Sequence, residues 1–232
     1  MMQVRRSQDR GHSRYSWLDS RHSFSFADYY DPEHMGFSVL RVINDDEVAP
    51  GAGFPTHGHR DMEIISYILQ GSIEHKDSMG HVSQLKAGEA QRMSAGTGVR
   101  HSEYNPSSDE PLHFLQIWIQ PDQLGIEPGY EQLRITSKDA PQQLQLLVSP
   151  DGRGDSMHIH QDVLLYSGHL AAGESLDYVV NKTRKTYLHV VAGKVVINEL
   201  QLNAGDATSI EDETQFTVAA ETDSKFLLFD LP

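Results

Sequence analysis

The chain has 232 residues, of which 38% are hydrophobic and 22% charged, enough for one large or two modest globular domains. Its 33 acidic residues against 19 Lys and Arg leave a net charge of −14, which speaks against direct binding to nucleic-acid phosphates. There is no cysteine, so disulfides, thiolate ligands and thiol nucleophiles are excluded. No secretory leader pattern and no apolar run of membrane-spanning length is visible, and a cytoplasmic protein without membrane contact is expected.

Residues 1 to about 20 are polar and rich in Arg and Ser, and read as an arm anchored from Trp17 and Leu18. Phe24 and Phe26 alternate with Ser, as in a short strand or inward-facing arm, and Asp31-Pro32 marks a turn. Phe37 to Ile43 reads as a strand with Asn44-Asp45-Asp46 as its exit. Ile64 to Gln70 is an apolar strand closed by Gly71; Ile73 to Lys76 and His81 to Leu85 form a hairpin around Asp77 to Gly80. Ala90 to Met93, Val99 to Tyr104 and Leu112 to Gln120 follow as strands. Pro121 to about Ile135 is polar, with room for a helical turn, and holds the expected domain boundary. Strands return at Gln143 to Val148, Met157 to His160 and Val163 to Leu170. Many short strands with few helix signals predict an all-β barrel or jelly roll.

Chemistry concentrates in Gly51 to Glu63 and in His101-Ser102-Glu103. His57 and His59 are one residue apart on an extended segment, so their imidazoles leave on one face, and His101 and Glu103 repeat that spacing. If the two strands are neighbours, three ring nitrogens and one carboxylate converge. That donor set suits a single Fe, Mn, Ni, Cu or Zn ion. Glu63 has the strand parity of His57 and His59 and is expected to stand behind the ligands; Asp61 shares the parity with a weaker claim. His158 and His160 form a second such pair with no carboxylate at matching spacing, and are read as structural. His75, His81 and His113 are read as solvated or hydrogen-bonded strand residues, while Phe24, Phe26, Phe54 and Trp118 could line an aromatic pocket.

Gly51, His57-x-His59, Glu63 and Gly71, then Gly88, Gly96, His101 and Asn105, resemble the two cupin motifs. Glu63 and Gly71 are separated by seven residues where the usual cupin has six, and His101 falls two residues late after Gly96. The carboxylate two residues after the third histidine is absent from ordinary cupins and resembles the pirin family of bicupins, whose ligands are three His and a Glu of the second motif. Phe24 to Pro32, Leu40 to Asp46, Asp77 to Gly80, Met93 to Gly98 and Gln116-Ile117-Trp118 look like pirin signatures too.

An internal repeat extends the resemblance. Twenty positions separate Gly51 from Gly71 and likewise Gly173 from Gly193, and Ala87 to Ala90 has a counterpart in Ala204 to Ala207. At the repeat's offsets His57 and His59 meet Val179 and Asn181, and the later ligands meet the stretch Phe216 to Ala220, so the second half has a fold and no site. The expectation is a bicupin with two cupin domains face to face, residues 1–130 carrying the metal and residues 131–232 degenerate. The resemblance implies a quercetin 2,3-dioxygenase, taking a flavonol or another enolisable phenol with O2, on one divalent metal, Fe(II) first and Cu, Ni, Mn or Zn as alternatives. Glu103 would be the base, since it is the ligand able to take the 3-hydroxyl proton. The other implied role is a metal-dependent transcriptional co-regulator acting through a protein partner. A monomer is the default expectation.

Overall fold

The computed structural model describes residues 1–136 and 144–232. Strands are numbered in chain order. β1 (Met2–Arg5) is followed by β2 (Gly11–Arg14), β3 (Leu18–His22), β4 (Leu40–Val48), β5 (Gly53–His59), β6 (Glu63–Gln70) and β7 (Ser72–Asp77). Then come β8 (Val82–Lys86), β9 (Glu89–Ser94), β10 (Val99–Tyr104), β11 (Leu112–Ile119), β12 (Gly129–Arg134), β13 (Leu144–Ser149) and β14 (Met157–His158). The last are β15 (Leu164–Leu170), β16 (Ser175–Val179), β17 (Lys185–Ala192), β18 (Lys194–Ile197), β19 (Leu200–Asn203), β20 (Ala207–Ile210), β21 (Gln215–Ala220) and β22 (Ser224–Leu231). No helix among the described residues is long and apolar enough to cross a membrane.

Two compact units emerge. One is Gly11–Arg134 with Met157–Gln161; the other is Met1–Arg10, Ile135–Ser156 and Asp162–Pro232. Relative to a single cut at 130/131, three pieces change sides: the first ten residues join the second barrel, and residues 131–134 and Met157–Gln161 join the first.

The first barrel pairs a four-stranded sheet, β5-β10-β7-β8, with a seven-stranded one, β12-β9-β6-β11-β4-β3-β2. The second repeats that plan, with β16-β21-β18-β19 in one sheet and β1-β20-β17-β22-β15-β13 in the other. Gly71 and Gly193 mark equivalent hairpins, with φ of +73° and +80°. At each a Cβ would press within 2.4 Å or less of a backbone oxygen, of Pro111 and Asp223 respectively, so only glycine fits.

Inward positions alternate along each strand and build the core. On β6, Ile64 packs with Met93 and Val99, and Ile68 packs with Ile73, Leu85 and Phe114. Ser66 sits between the two on the same face. The polar centre therefore lies between two apolar clusters, not at the barrel's rim.

Three expectations are corrected. The N-terminal arm is strand: β1 pairs with β20, and β2 and β3 extend the larger first sheet. Asn44 to Asp46 is no exit, because β4 runs through it to Val48. The polar stretch before Ile135 holds β12, not a helical turn, and pairs along β9. On β3 and β4 the reason is that Ser20, His22, Asn44 and Asp46 are buried polar residues, so these strands lack the apolar alternation that announces a strand. β12 buries none of its residues fully and carries no such alternation either. Gln143, read as a strand start, lies outside the described residues.

Candidate metal centre

β5 and β10 lie side by side with His101 opposite His57 and Val99 opposite His59. The close pairing depends on Gly53, where a Cβ would fall 2.3 Å from the Glu103 carbonyl oxygen. His101 and Glu103, two apart on β10, share a face, and the register shift between them falls as an extra residue on β5, so that Phe54 and His57, three apart, both line the cavity. Ring centroids of His57 and His101 are 4.5 Å apart, of His57 and His59 4.8 Å, and of His59 and His101 4.9 Å. One ligand nitrogen from each of the three lies within 4.8 Å of the others.

The protonation states suit a cation. Burial lowers His59 to about 4, helped by His101 and His57. Burial likewise lowers His101 to about 3, with His57 and His75 adding to it. Both rings are neutral near neutral pH, with a lone pair to give. His57 donates Nδ1–H to the Pro55 carbonyl at 2.8 Å, which leaves Nε2 as its free lone pair. The buried Nε2 of His101 has no hydrogen-bond partner. Such an orphan, beside two further imidazoles, fits a bound metal better than an empty core, where its desolvation would be uncompensated.

Glu103 approaches from the same strand but falls in an overlapping set, His75, His101 and Glu103, whose ligand atoms again lie within 4.8 Å of one another. The opposite sheet supplies its hydrogen bonds. Glu103 Oε1 accepts from Ser66 Oγ at 2.9 Å and Gln91 Nε2 at 3.1 Å, and Oε2 accepts from Gln116 Nε2 at 2.9 Å. These donors form a line across the sheet: His22 opposes Asn44, which opposes Gln116, then Ser66, then Gln91. Tyr130 gives its hydroxyl to Gln91 Oε1 at 2.7 Å and so turns the Gln91 amide nitrogen toward Glu103.

His75 is a hydrogen-bonded strand residue, one of the two readings expected, and it stands besides in the second metal-capable set. It is fully buried, with Nε2 3.1 Å from Asp77 Oδ2 and Nδ1 3.5 Å from His101 Nδ1. Burial opposes ionisation of Asp77, yet hydrogen bonds from His75 and His81 hold its carboxyl below the usual range. Tyr130 stacks on both His75 and His81. His81 and His113 do behave as hydrogen-bonded strand-edge residues, His113 on Asp45 at 2.6 Å.

Glu63 stands elsewhere. It accepts from Ser94 Oγ at 2.8 Å and pairs with His160 Nδ1 at 3.0 Å, outside both clusters. Arg92 bonds Ser94 Oγ and Glu131, and Glu131 accepts the His158 amide. His158 and His160 thus have carboxylate partners from distant strands, and they tie Met157–Gln161 into the first barrel. Asp61 accepts the Gly125 amide at 2.7 Å.

His57, His59 and Glu103 also line a cavity of about 280 Å³, at the lower end for small-molecule sites. Its walls include Trp17, Phe26, Phe54 and Trp118, three of them from the expected aromatic set. Phe24 is instead buried, at 5% exposure, outside that lining. Asp46 opens on the same cavity; burial pushes its carboxyl up to about 7 against the hydrogen bond from Ser20, with Asp45 and Glu103 adding to the rise.

Two barrels of this topology, with an imidazole and carboxylate cluster in one of them, define a protein of the bicupin class. Residues 3–119 match the Pirin family model, and residues 146–231 match that of the quercetinase C-terminal cupin domain. The chain is 52% identical over 232 residues to quercetin 2,3-dioxygenase of Escherichia coli (strain K12), covering 100% of this chain and 99% of that one. It is 41% identical over 221 residues to a pirin-like protein of Caulobacter vibrioides, covering 95% of each. A crystal structure of a bacterial pirin from Escherichia coli in complex with nickel(II) superposes with a TM-score of 0.96 at 51% identity, over 100% of this chain and 99% of that chain. This protein belongs to the pirin family.

Proposed function

We propose that the first barrel binds one divalent transition metal through His57, His59 and His101, with Glu103 as the carboxylate partner, and that the protein is a dioxygenase cleaving flavonols such as quercetin. The observation that carries this reading is the convergence of neutral imidazoles and a hydrogen-bonded carboxylate on an aromatic-walled cavity. The nickel complex of the Escherichia coli pirin and the name of the dioxygenase relative support it. Fe(II) is the first metal to test, and Cu, Ni, Mn and Zn suit the same donors.

When bound, the metal supplies a Lewis acid for the 3-hydroxyl and 4-carbonyl of the flavonol and a centre for reaction with dioxygen. The remaining work falls to the chain. His57 and His59 are held in place by β5, and His101 by β10. Glu103 takes the 3-hydroxyl proton. Its Oε1 already accepts two hydrogen bonds and Oε2 one, so a single Oε2 lone pair remains, to serve either the metal or that proton and not both at once. Trp17, Phe26, Phe54 and Trp118 face the flavonol rings and keep water from the enolate. Ring opening follows with both the 2,3- and the 3,4-bond broken: the flavonol is oxidised, the two oxygen atoms of O2 end on carbons 2 and 4 of the depside, and carbon 3 leaves with its own oxygen as carbon monoxide.

Oxygen uptake and carbon monoxide release with quercetin, on protein loaded with Fe(II) without air, test this beside His59→Ala and Glu103→Ala. One carbon monoxide per quercetin is expected from the wild type and none from either variant. A full metal site with no turnover on any of the five metals would sink the dioxygenase reading.

A further inference from the structure

The cavity contains a charged residue type that metal binding does not use. Asp46 lies on the inward face of β4, 3% exposed, between Asn44 and Val48, with Val42 the next inward position beyond Asn44. The sheet therefore accepts valine on this face, and packing alone gives no reason for a carboxyl. Ser20, its register partner on β3, donates a hydrogen bond to Oδ1. Its register partner on the other side is Phe114, which offers none. A carboxyl group has about four acceptor sites, and one hydroxyl satisfies one of them. A buried polar group so sparsely bonded costs stability unless a ligand completes it.

Its surroundings show what ligand that is. Asp46 and Ser20 line the same cavity as His57, His59 and Glu103, with Phe54 and Trp118 also in its walls. Aromatic walls, with Trp17 edge-on to Phe54 and Phe26 edge-on to Trp118, suit a flat aromatic ligand, and a buried carboxyl suits a hydroxyl attached to it. We propose that Asp46, oriented by Ser20, is a second recognition point that binds a phenolic hydroxyl of the ligand whose chelating group meets the imidazoles. The proposal rests on the flavonol reading of this site and narrows it. The ligand class becomes a polyhydroxylated flavonol, with at least one hydroxyl remote from the 3-hydroxyl and 4-carbonyl pair, and Asp46 becomes a specificity-determining residue.

The chain's two tryptophans, Trp17 and Trp118, both line this cavity, so quenching of intrinsic fluorescence reports binding without turnover. The experiment titrates nickel-loaded wild type, Asp46→Leu, Asp46→Asn and Ser20→Ala, without oxygen, with quercetin and with 3-hydroxyflavone, which keeps only the chelating pair. The wild type is expected to prefer quercetin by roughly 10- to 100-fold, the range for a hydrogen bond completed in a buried site. Asp46→Leu removes that preference and leaves 3-hydroxyflavone affinity within about threefold. Asp46→Asn and Ser20→Ala, which keep a polar group at the site, retain part of it. An undiminished preference in Asp46→Leu and Ser20→Ala overturns the proposal, as does parallel loss of both ligands in Asp46→Asn with circular dichroism unchanged. Equal wild-type affinity for both flavonols defeats the Asp46 role alone. No quenching by either, at full metal occupancy, defeats the flavonol reading with it.

Discussion

The two barrels share a strand order and differ in what fills them. In the first, the inward residues of β10 are Val99, His101 and Glu103; in the second, β21 occupies the same place with Phe216, Val218 and Ala220. Across the larger sheet the first barrel sets Asn44, Gln116, Ser66 and Gln91 in a row. The second sets Tyr166, Leu228, Leu188 and Thr208 in a comparable row, and Leu188, Val190, Phe226 and Leu228 belong to one continuous apolar core. The barrel architecture therefore does not require a polar interior. It tolerates one where hydrogen bonds offset burial, as the three donors to Glu103 do, while Gln116 Oε1 and His101 Nε2 beside it have no protein partner.

The sharpest way to break the comparison is to exchange the central residues of β10 and β21. His101 belongs to both metal-capable sets, so His101→Ala should abolish metal retention, weakening it beyond the roughly 10- to 100-fold expected from losing a mere supporting bond. Elemental analysis after gel filtration measures this, with circular dichroism as the control for folding. Val218→His should gain no metal and lose stability by about 2–4 kcal/mol, because the apolar core offers the imidazole no partner. Metal retention by His101→Ala would remove that residue from the ligand set.

The sequence disclosed the proposed ligands more readily than their supports. His57, His59, His101 and Glu103 stand out because metal-ligating residue types recur at a two-residue period on each of two short strands. The supports were hidden by the same period seen from the other side. Ser66 is one hydroxyl in the run Ile64-Ile65-Ser66-Tyr67-Ile68, and Gln116 one amide in Phe114-Leu115-Gln116-Ile117. Each has inward parity, which was the available signal, but their meeting on Glu103 depends on long-range register that the sequence does not state. The nearness of His75 to His101 and Glu103 was hidden for a related reason: its burial follows from β10 and Tyr130, both distant in the chain. The second barrel was legible as a repeat because glycine turns survive where ligands do not.

A smaller effect separates support from packing. Gln116→Leu deletes one donor to Glu103 and should lower turnover about 10- to 100-fold while the metal stays bound. Leu228→Ala, in the comparable row of the second barrel, should cost about 2–5 kcal/mol in denaturant unfolding and leave turnover per folded molecule unchanged. A catalytic loss from Leu228→Ala with the fold intact would show that the second interior is more than packing.

The smallest expected difference is one of pH, and it sets two features of the first barrel against each other. Asp46 has its folded pKa raised from 3.8 to about 7. Between those values the folded protein keeps a proton that the unfolded chain has released, so this group's contribution makes stability fall as pH rises from about 4 to 7. His59 and His101 have folded values lowered from 6.5 to about 4 and about 3. Below pH 6.5 the unfolded chain binds protons that the folded rings refuse, so their contribution makes stability fall as pH drops. In metal-free protein the two trends oppose, and Asp46→Asn removes only the first. Charges around Asp46, on Asp45, Glu103 and His113, remain in both proteins. The variant should therefore gain on the wild type by about 1 kcal/mol as pH rises from 5 to 7, less than the roughly 1.4 kcal/mol per pKa unit of full linkage, since local rearrangement relieves part of the strain. Urea unfolding with a chelator present, at half-unit steps of pH, measures the gap. A gap that stays constant would mean that Asp46 is ionised throughout, and that its carboxyl enters the cavity as a charge instead of as a hydrogen-bond donor.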